Sequence, residues 1–335
     1  MCVVDMHNHI VTPAVVKLLR ESGESYGARV VEDERGCFVA IGESSVRPLH
    51  DRMTDAAVRV QDMDRLGIDI QAVSCTPFLM FPNLDPALAQ SIARINNESL
   101  AEISADHPGR FAPLASVPLQ DPDLAVHELK HAKALGLRGA QIPPNTPELD
   151  LDDSRLEPFW ATAAELQMPL CIHPFDAAPC GALSRHMLGP LVGNLFDTGL
   201  AGALLVMSGV LERHPDLRIV LYHAGGTFPA LVARLDKGFE LFPPVRKSIS
   251  RAPSSFVSQL SFDTVAFEPA WLHHLVERFG ASQLVTGSDY PLPLGPQDPA
   301  AEVRALGLTL DDERAVLGGN ACRLLQLDQE TGAPL

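Results

Sequence analysis

The stretch Val3-Val4-Asp5-Met6-His7-Asn8-His9 opens the chain with an apolar lead-in and two histidines at alternate positions. Side chains on an extended strand alternate between faces, so His7 and His9 project to the same side and can grip one object. Thr12-Pro13 supplies a turn signal soon after, which puts the pair at the carboxyl end of a first strand. Alpha/beta proteins assemble their sites at that end. Taken alone, the two histidines could equally fill a polar strand end, and residues further along have to decide.

Beyond a helical run over residues 13 to 22, the chain changes character between residues 23 and 52. Arg29-Val30-Val31 and Cys37-Phe38-Val39-Ala40-Ile41 flank the acidic turn Glu32-Asp33-Glu34-Arg35-Gly36 and read as a small hairpin, inserted after strand one as a partial lid. Residues 54 to 66 have helical spacing, with Val58, Met63 and Leu66 apolar among Arg59, Asp62 and Asp64, and Gly67 ends the helix. Strands then follow at about 68–75, 111–117, 139–142, 169–174, 217–223, 259–263 and 283–291. Helices at about 86–105, 121–135, 153–166, 198–213, 228–240 and 268–279 separate the later ones. Eight strands in about 290 residues match the count and length of a (β/α)8 TIM barrel, with a doubly wound open sheet as the alternative. We expect one domain over residues 1–335, with 23–52 as the lid and 298–335 as a C-terminal helical extension packed outside. Gly225-Gly226 follows a strand but lacks the lysine and third glycine of a phosphate or dinucleotide loop.

The 335 residues are 46% hydrophobic, which suits a soluble globular protein. A net charge of -16, spread along the chain, repels nucleic-acid phosphates. No uncharged apolar run of about 18 residues marks a membrane span, and the opening lacks the order of a signal peptide, so the expected location is cytoplasmic. The six cysteines include no CxxC pair; Cys75 and Cys171 fall inside apolar strands and read as buried free thiols.

Sorted onto this pattern, His7 and His9 end strand one, His173 strand five, His223 strand six, Asp263 strand seven and Asp289 strand eight. Metal chemistry explains such a rim: cations such as Zn2+ take imidazole nitrogen and carboxylate oxygen and keep a position open. His7, His9, His173 and Asp289 supply four ligands, leaving His223 as a proton shuttle, for which an imidazole pKa is suited. No lysine ends a strand to bridge a second ion, so one metal is expected. Asp5 shares the side of His7 and His9 but lies one layer deeper, where it can support the ligands.

Four motifs carry a resemblance. They are Asp5-Met6-His7-Asn8-His9, Ile172-His173-Pro174-Phe175-Asp176, Tyr222-His223-Ala224-Gly225-Gly226 with Phe228-Pro229, and Gly287-Ser288-Asp289-Tyr290-Pro291. With them the sequence resembles the amidohydrolase superfamily in its branch of metal-dependent decarboxylases, most nearly the 2-amino-3-carboxymuconate-6-semialdehyde decarboxylase family. The likeness runs nearly to the end of the chain, through Val73-Ser74, Ala93-Arg94 with Asn96-Asn97, Ser208-Gly209-Val210 and Asn320-Ala321. It implies one Zn2+, or Mn2+, held by His7, His9, His173 and Asp289, with His223 as acid/base and no organic cofactor. It also implies non-oxidative decarboxylation of a small unsaturated or aromatic carboxylic acid. The alternative is a hydrolase of an amide or lactone ring, in which hydroxide on the same metal attacks a carbonyl carbon; Asp289 does not separate the two, since in hydrolases of the superfamily the same aspartate often acts as base, and a non-enzymatic metal-binding protein is a third reading.

The resemblance further implies a homodimer in which Arg234 reaches the neighbouring site and binds substrate carboxylate through its planar fork. A second carboxylate-binding arginine belongs in the lid. Ungapped alignment back from Val58-Arg59 puts His50 there, and a small insertion restores Arg47. Phe175 stands where the family has tryptophan, keeping an aromatic wall without an indole donor. Pro143-Pro144-Asn145-Thr146 replaces a Gly-rich exit from strand four. These departures bear on the substrate more than on the reaction.

Overall fold

The computed structural model describes residues 2–34, 36–42, 45–175 and 181–335. Its strands are β1 (Val4–Ile10), β2 (Ala28–Asp33), β3 (Gly36–Ile41), β4 (Ser45–Pro48), β5 (Ile70–Cys75), β6 (Leu114–Ser116), β7 (Gly139–Ile142), β8 (Leu170–Ile172), β9 (Ile219–Leu221), β10 (Leu260–Asp263) and β11 (Leu284–Val285). The helices that matter below are α1 (Pro13–Ser22), α2 (Asp51–Thr54), α3 (Ala56–Leu66), α4 (Pro86–Asp106), α5 (Pro122–Ala134), α6 (Glu157–Glu165), α7 (Asn194–Met207), α8 (Val210–Arg213), α9 (Phe228–Leu241) and α10 (Pro269–Phe279). Three starts follow from local sequence: Asp55, Asp85 and Asp121 each accept two backbone N–H groups at the heads of α3, α4 and α5. Proline follows the cap in α4 and α5, where its missing N–H costs nothing.

Strands β6 to β11 form one parallel sheet in sequence order, and β1 pairs in parallel with β5. Backbone bonds continue past both ladders. Gln71 N–H donates to Arg110 O and Ala112 N–H to Gln71 O, beside a parallel bridge from Gln71 to Phe111. On the other side Met6 N–H donates to Thr286 O and His9 N–H to Tyr290 O, beside a parallel bridge from Asn8 to Tyr290.

Consecutive strand residues enter different cores, as period two requires. Leu170 and Ile172 join the cluster of Leu129, Phe159, Trp160, Leu205 and Phe228 under the helices. Cys171 between them joins Val4, Met6, Ala72, Leu114, Val220, Tyr222 and Val285, a cluster drawn from strands all along the chain. Strands buried on both faces need continuous apolar runs, which is what β8 and β9 show.

Four expectations need correction. The inserted hairpin is a three-stranded antiparallel sheet, because Ser45–Pro48 pairs with β3. The helix read over 198–213 starts earlier, at Asn194, and breaks into α7 and α8 at Gly209, whose φ of 79° fits a residue without Cβ. The last strand is a two-residue ladder plus the Tyr290 bridge. Finally, Arg59 is not on the polar face of α3: it is fully buried, with Met63 one turn on.

Gly189–Met207 is long and apolar enough, by length and composition, to cross a membrane, although Asp197 interrupts it. One face is packed: a Cβ at Gly199 or Gly202 would run into Thr227 or Phe228 at the start of α9. The other face leaves Leu191, Val192, Phe196 and Leu200 exposed.

Candidate metal centre

Three imidazoles from two strand ends converge with one carboxylate. His7 Nε2 lies 3.1 Å from His9 Nε2 and 3.2 Å from Asp289 Oδ1. His9 Nε2 is 3.1 Å and His173 Nε2 3.9 Å from the same oxygen. A cation about 2.0–2.2 Å from two such donors holds them roughly 3.0–3.5 Å apart at ordinary bond angles, so the three short edges fit.

The tautomers fit as well. His7 Nδ1 is 2.5 Å from Asp263 Oδ2, His9 Nδ1 3.1 Å from Cys75 O, and His173 Nδ1 2.5 Å from Pro174 O. These partners only accept, so each Nδ1 carries a hydrogen and each Nε2 can offer a lone pair to the common space. His173 Nε2 is buried there with no hydrogen-bond partner, which is a donor set arranged for an ion and not for its own satisfaction.

His223 faces the same space. It lies just past β9, with a left-handed φ of 56°, and its ring centroid is 5.1 Å from that of His173. Donor atoms of His7, His173, His223 and Asp289 all lie within 4.8 Å of one another. His223 Nδ1 is buried and unpartnered.

Asp263 organises two of these groups. Besides His7 it accepts the backbone N–H of His223 at 3.0 Å, of Ala224 at 2.7 Å and of Val265 at 3.1 Å. One carboxylate therefore sets the His7 tautomer and anchors the left-handed turn that aims His223. Tyr222 stacks on the His7 ring at 3.7 Å between centroids and donates to Met6 O. Behind His9, Ser74 Oγ lies 3.1 Å from His9 Nδ1 and donates to Gln141 Oε1 at 2.6 Å, while Gln141 Nε2 donates to Cys75 O. Asp5 accepts from Ser288 N–H and Oγ–H, Gln71 and His7 N–H, tying β1 to the segment that carries Asp289. Sequence reasoning placed Asp263 on the rim without a role and passed over Tyr222 and Gln141, whose partners lie on other strands.

Electrostatics separate the four imidazoles. Burial pushes His9 and His173 down to about 4, and burial with the nearby His173 and His7 rings pushes His223 to about 3, so these are neutral. Burial also acts to lower His7, but Asp289 and Asp263 outweigh it and raise the group to about 9. Burial likewise raises Asp5, to about 6. Asp289 is held well below the usual carboxylate range: burial opposes ionisation, and the positive charge on His7 with three imidazole contacts overcomes it.

The remaining site candidates lie on other segments. Phe175 is half-buried just after His173-Pro174; Asp176 of the same motif, like Cys180 and Arg35, falls outside the described residues. Arg47 pairs with Val39 and so shares the face of the three-stranded sheet that packs on Val11, Val15 and Phe78, whereas His50 is exposed ahead of α2. Arg234 is exposed on α9 and makes no ion pair among the described residues.

A profile described as amidohydrolase matches residues 4–327. The chain belongs to the amidohydrolase family. This amidohydrolase is similar to 2-amino-3-carboxymuconate-6-semialdehyde decarboxylase of Dictyostelium discoideum, 29% identical over 331 residues that cover 97% of this chain and 92% of the relative. It superposes on 5-carboxyvanillate decarboxylase of Sphingomonas paucimobilis with a TM-score of 0.82 at 25% identity, covering 98% of this chain and all of the other. A dihydroxybenzoic acid decarboxylase of Polaromonas, solved with bound manganese and 2-nitroresorcinol, matches with a TM-score of 0.80 at 25% identity over 97% of both chains.

Proposed function

We propose that this amidohydrolase is a metal-dependent, non-oxidative decarboxylase of a small unsaturated or aromatic carboxylic acid. The observation that carries the reading is the convergence of His7, His9 and His173 Nε2 on Asp289, with a donor atom of His223 within 4.8 Å of those of His7, His173 and Asp289. Support comes from full-length relatives that are decarboxylases. Zn2+ or Mn2+ would be held by His7, His9, His173 and Asp289, and would supply Lewis acidity toward the oxygens of an anionic substrate.

The chain's own residues do the rest. His223, neutral and half-buried, takes a proton from solvent water and delivers it to the carbon bearing the carboxylate. As the new C–H bond forms, the C–C bond to the carboxylate breaks; its electron pair restores the unsaturated system and CO2 leaves. Asp289 contributes negative charge beside His223 that favours its protonated form during the transfer. Phe175 supplies an apolar wall for a flat substrate, and Arg47, on the inward face of its sheet, a charge for a second carboxylate.

The bridges that link β1 to β5 on one side and to Tyr290 on the other support closure of the sheet into a (β/α)8 barrel in a single domain, with the three-stranded sheet as its lid. A homodimer through α7 and α9 is supported by exposed Leu191, Val192, Phe196, Leu200, Leu241 and Phe242 beside exposed Arg234, which would reach the partner's site. The unpaired Cys2, Cys37, Cys75, Cys171 and Cys322 suit a reducing cytoplasm. Metal-loaded protein tested on substituted benzoates and unsaturated semialdehyde acids should release CO2; hydrolysis of amide or lactone rings with no CO2 from any acid would overturn the reading.

A further inference from the structure

Arg59 is fully buried, yet among the described residues its guanidinium bonds only to neutral groups. Burying a cation without a paired anion is costly, so the position asks for a reason. Its partners supply one. Nη1 donates to His9 O at 2.6 Å and to Arg52 O at 3.1 Å, and Nη2 donates to Asn8 Oδ1 at 2.8 Å. The same guanidinium lies over the Tyr290 ring, 4.7 Å from its centroid. Tyr290 follows Asp289, its carbonyl accepts His9 N–H at 2.7 Å, and its hydroxyl donates to Asp62 on the same helix as Arg59. Asp62 in turn pairs with Arg52, whose carbonyl Arg59 holds.

We infer that Arg59 is a positioning residue of the metal centre. It pins the His9 end of β1 and the Asp289-Tyr290 segment against α3 at once, and so fixes the separation of His9 Nε2 from Asp289 Oδ1. The planar fork is suited to this role, since two nitrogens take acceptors on β1 while the flat face covers Tyr290, an arrangement an ammonium cannot copy. The inference rests on the reading that His7, His9, His173 and Asp289 hold one ion.

The test is Co2+ binding to chelator-stripped protein, read as a dissociation constant by chelator competition and as the d–d absorption bands, which report ligand number and geometry. Wild type and a His173→Ala variant are measured first. If Co2+ binding and bands are unaffected by His173→Ala, the four-ligand reading itself fails, whatever Arg59 does. If that variant loses the site, Arg59→Gln is expected to weaken Co2+ by about 10–100-fold and to shift the bands while the metal-free protein stays folded. Arg59→Lys, which keeps the charge and the packed stem, should recover part of the affinity. A folded Arg59→Gln with wild-type affinity and bands overturns the inference. Should Arg59→Gln fail to fold, Arg59→Lys decides: wild-type affinity and bands overturn the inference, and a loss of several-fold supports it.

Discussion

Replacing Asp263 by asparagine tests how the ligand set is built. The two carboxylate oxygens divide their work: Oδ2 takes His7 Nδ1–H and His223 N–H, and Oδ1 takes Ala224 N–H and Val265 N–H. Asparagine keeps the volume but has one oxygen and one NH2, so whichever way it turns, its NH2 faces two N–H groups. Turned toward His7, it favours the tautomer with hydrogen on Nε2, which opposes metal binding. Turned away, it leaves the Ala224 and Val265 amides unsatisfied and loosens the turn that aims His223. Partners of metal-bound histidine typically contribute 10–100-fold in affinity, about 1.4–2.8 kcal/mol. Each buried donor left unpaired costs roughly 1–3 kcal/mol of stability. Chelator competition with Mn2+ should therefore show affinity down by about 10–100-fold, and thermal unfolding a lower midpoint for the metal-free variant. An Asp263→Asn protein with wild-type metal affinity and midpoint would refute the claim that this carboxylate sets the His7 tautomer.

Metal binding must displace the proton that His7 holds up to about pH 9, so affinity should rise with pH through the neutral range and level off above 9, with proton release visible by calorimetry in buffers of different ionisation enthalpy. The metal-free protein should be most stable near pH 7, about half a unit above the ordinary histidine value of about 6.5, because three lowered imidazoles are set against one raised one. Below that, unfolded His9, His173 and His223 bind protons that the folded groups, at about 4, 4 and 3, do not, so stability falls with falling pH, partly offset by Asp5 at about 6. Above it, folded His7 keeps a proton that the unfolded residue releases, so stability falls as pH rises toward 9, and unfolding midpoints against pH check both arms. His223→Ala should retain the metal and lose about 100-fold or more in turnover; loss of metal would make His223 a ligand. Arg234→Ala should raise KM for carboxylates, and mixing it with His173→Ala should restore some activity if the arginine crosses a dimer.

The candidate ligand set was legible because its members lie on strands or in the segments just after them. Period-two alternation put His7 and His9 on one side, His173 and His223 follow the apolar runs of β8 and β9, and Asp289 lies past Leu284–Val285. What stayed hidden depends on partners far away in the chain. Asp263 gets its role from His7, 256 positions earlier, and Gln141 from Ser74, 67 positions earlier. Arg59 misled because arginine within a helix signals a wet face, and only the packing of β1 and Tyr290 shows it to be inside. The third strand of the inserted sheet escaped because it is four residues long and ends in proline, below the length at which alternation registers.

Turnover in D2O is the sharpest check on decarboxylation at this site. With the metal-loaded enzyme and an accepted carboxylic acid, one CO2 is expected per product, with one deuterium on the carbon that lost the carboxylate. Product carrying oxygen from water, with no CO2 and no carbon-bound deuterium, would contradict it.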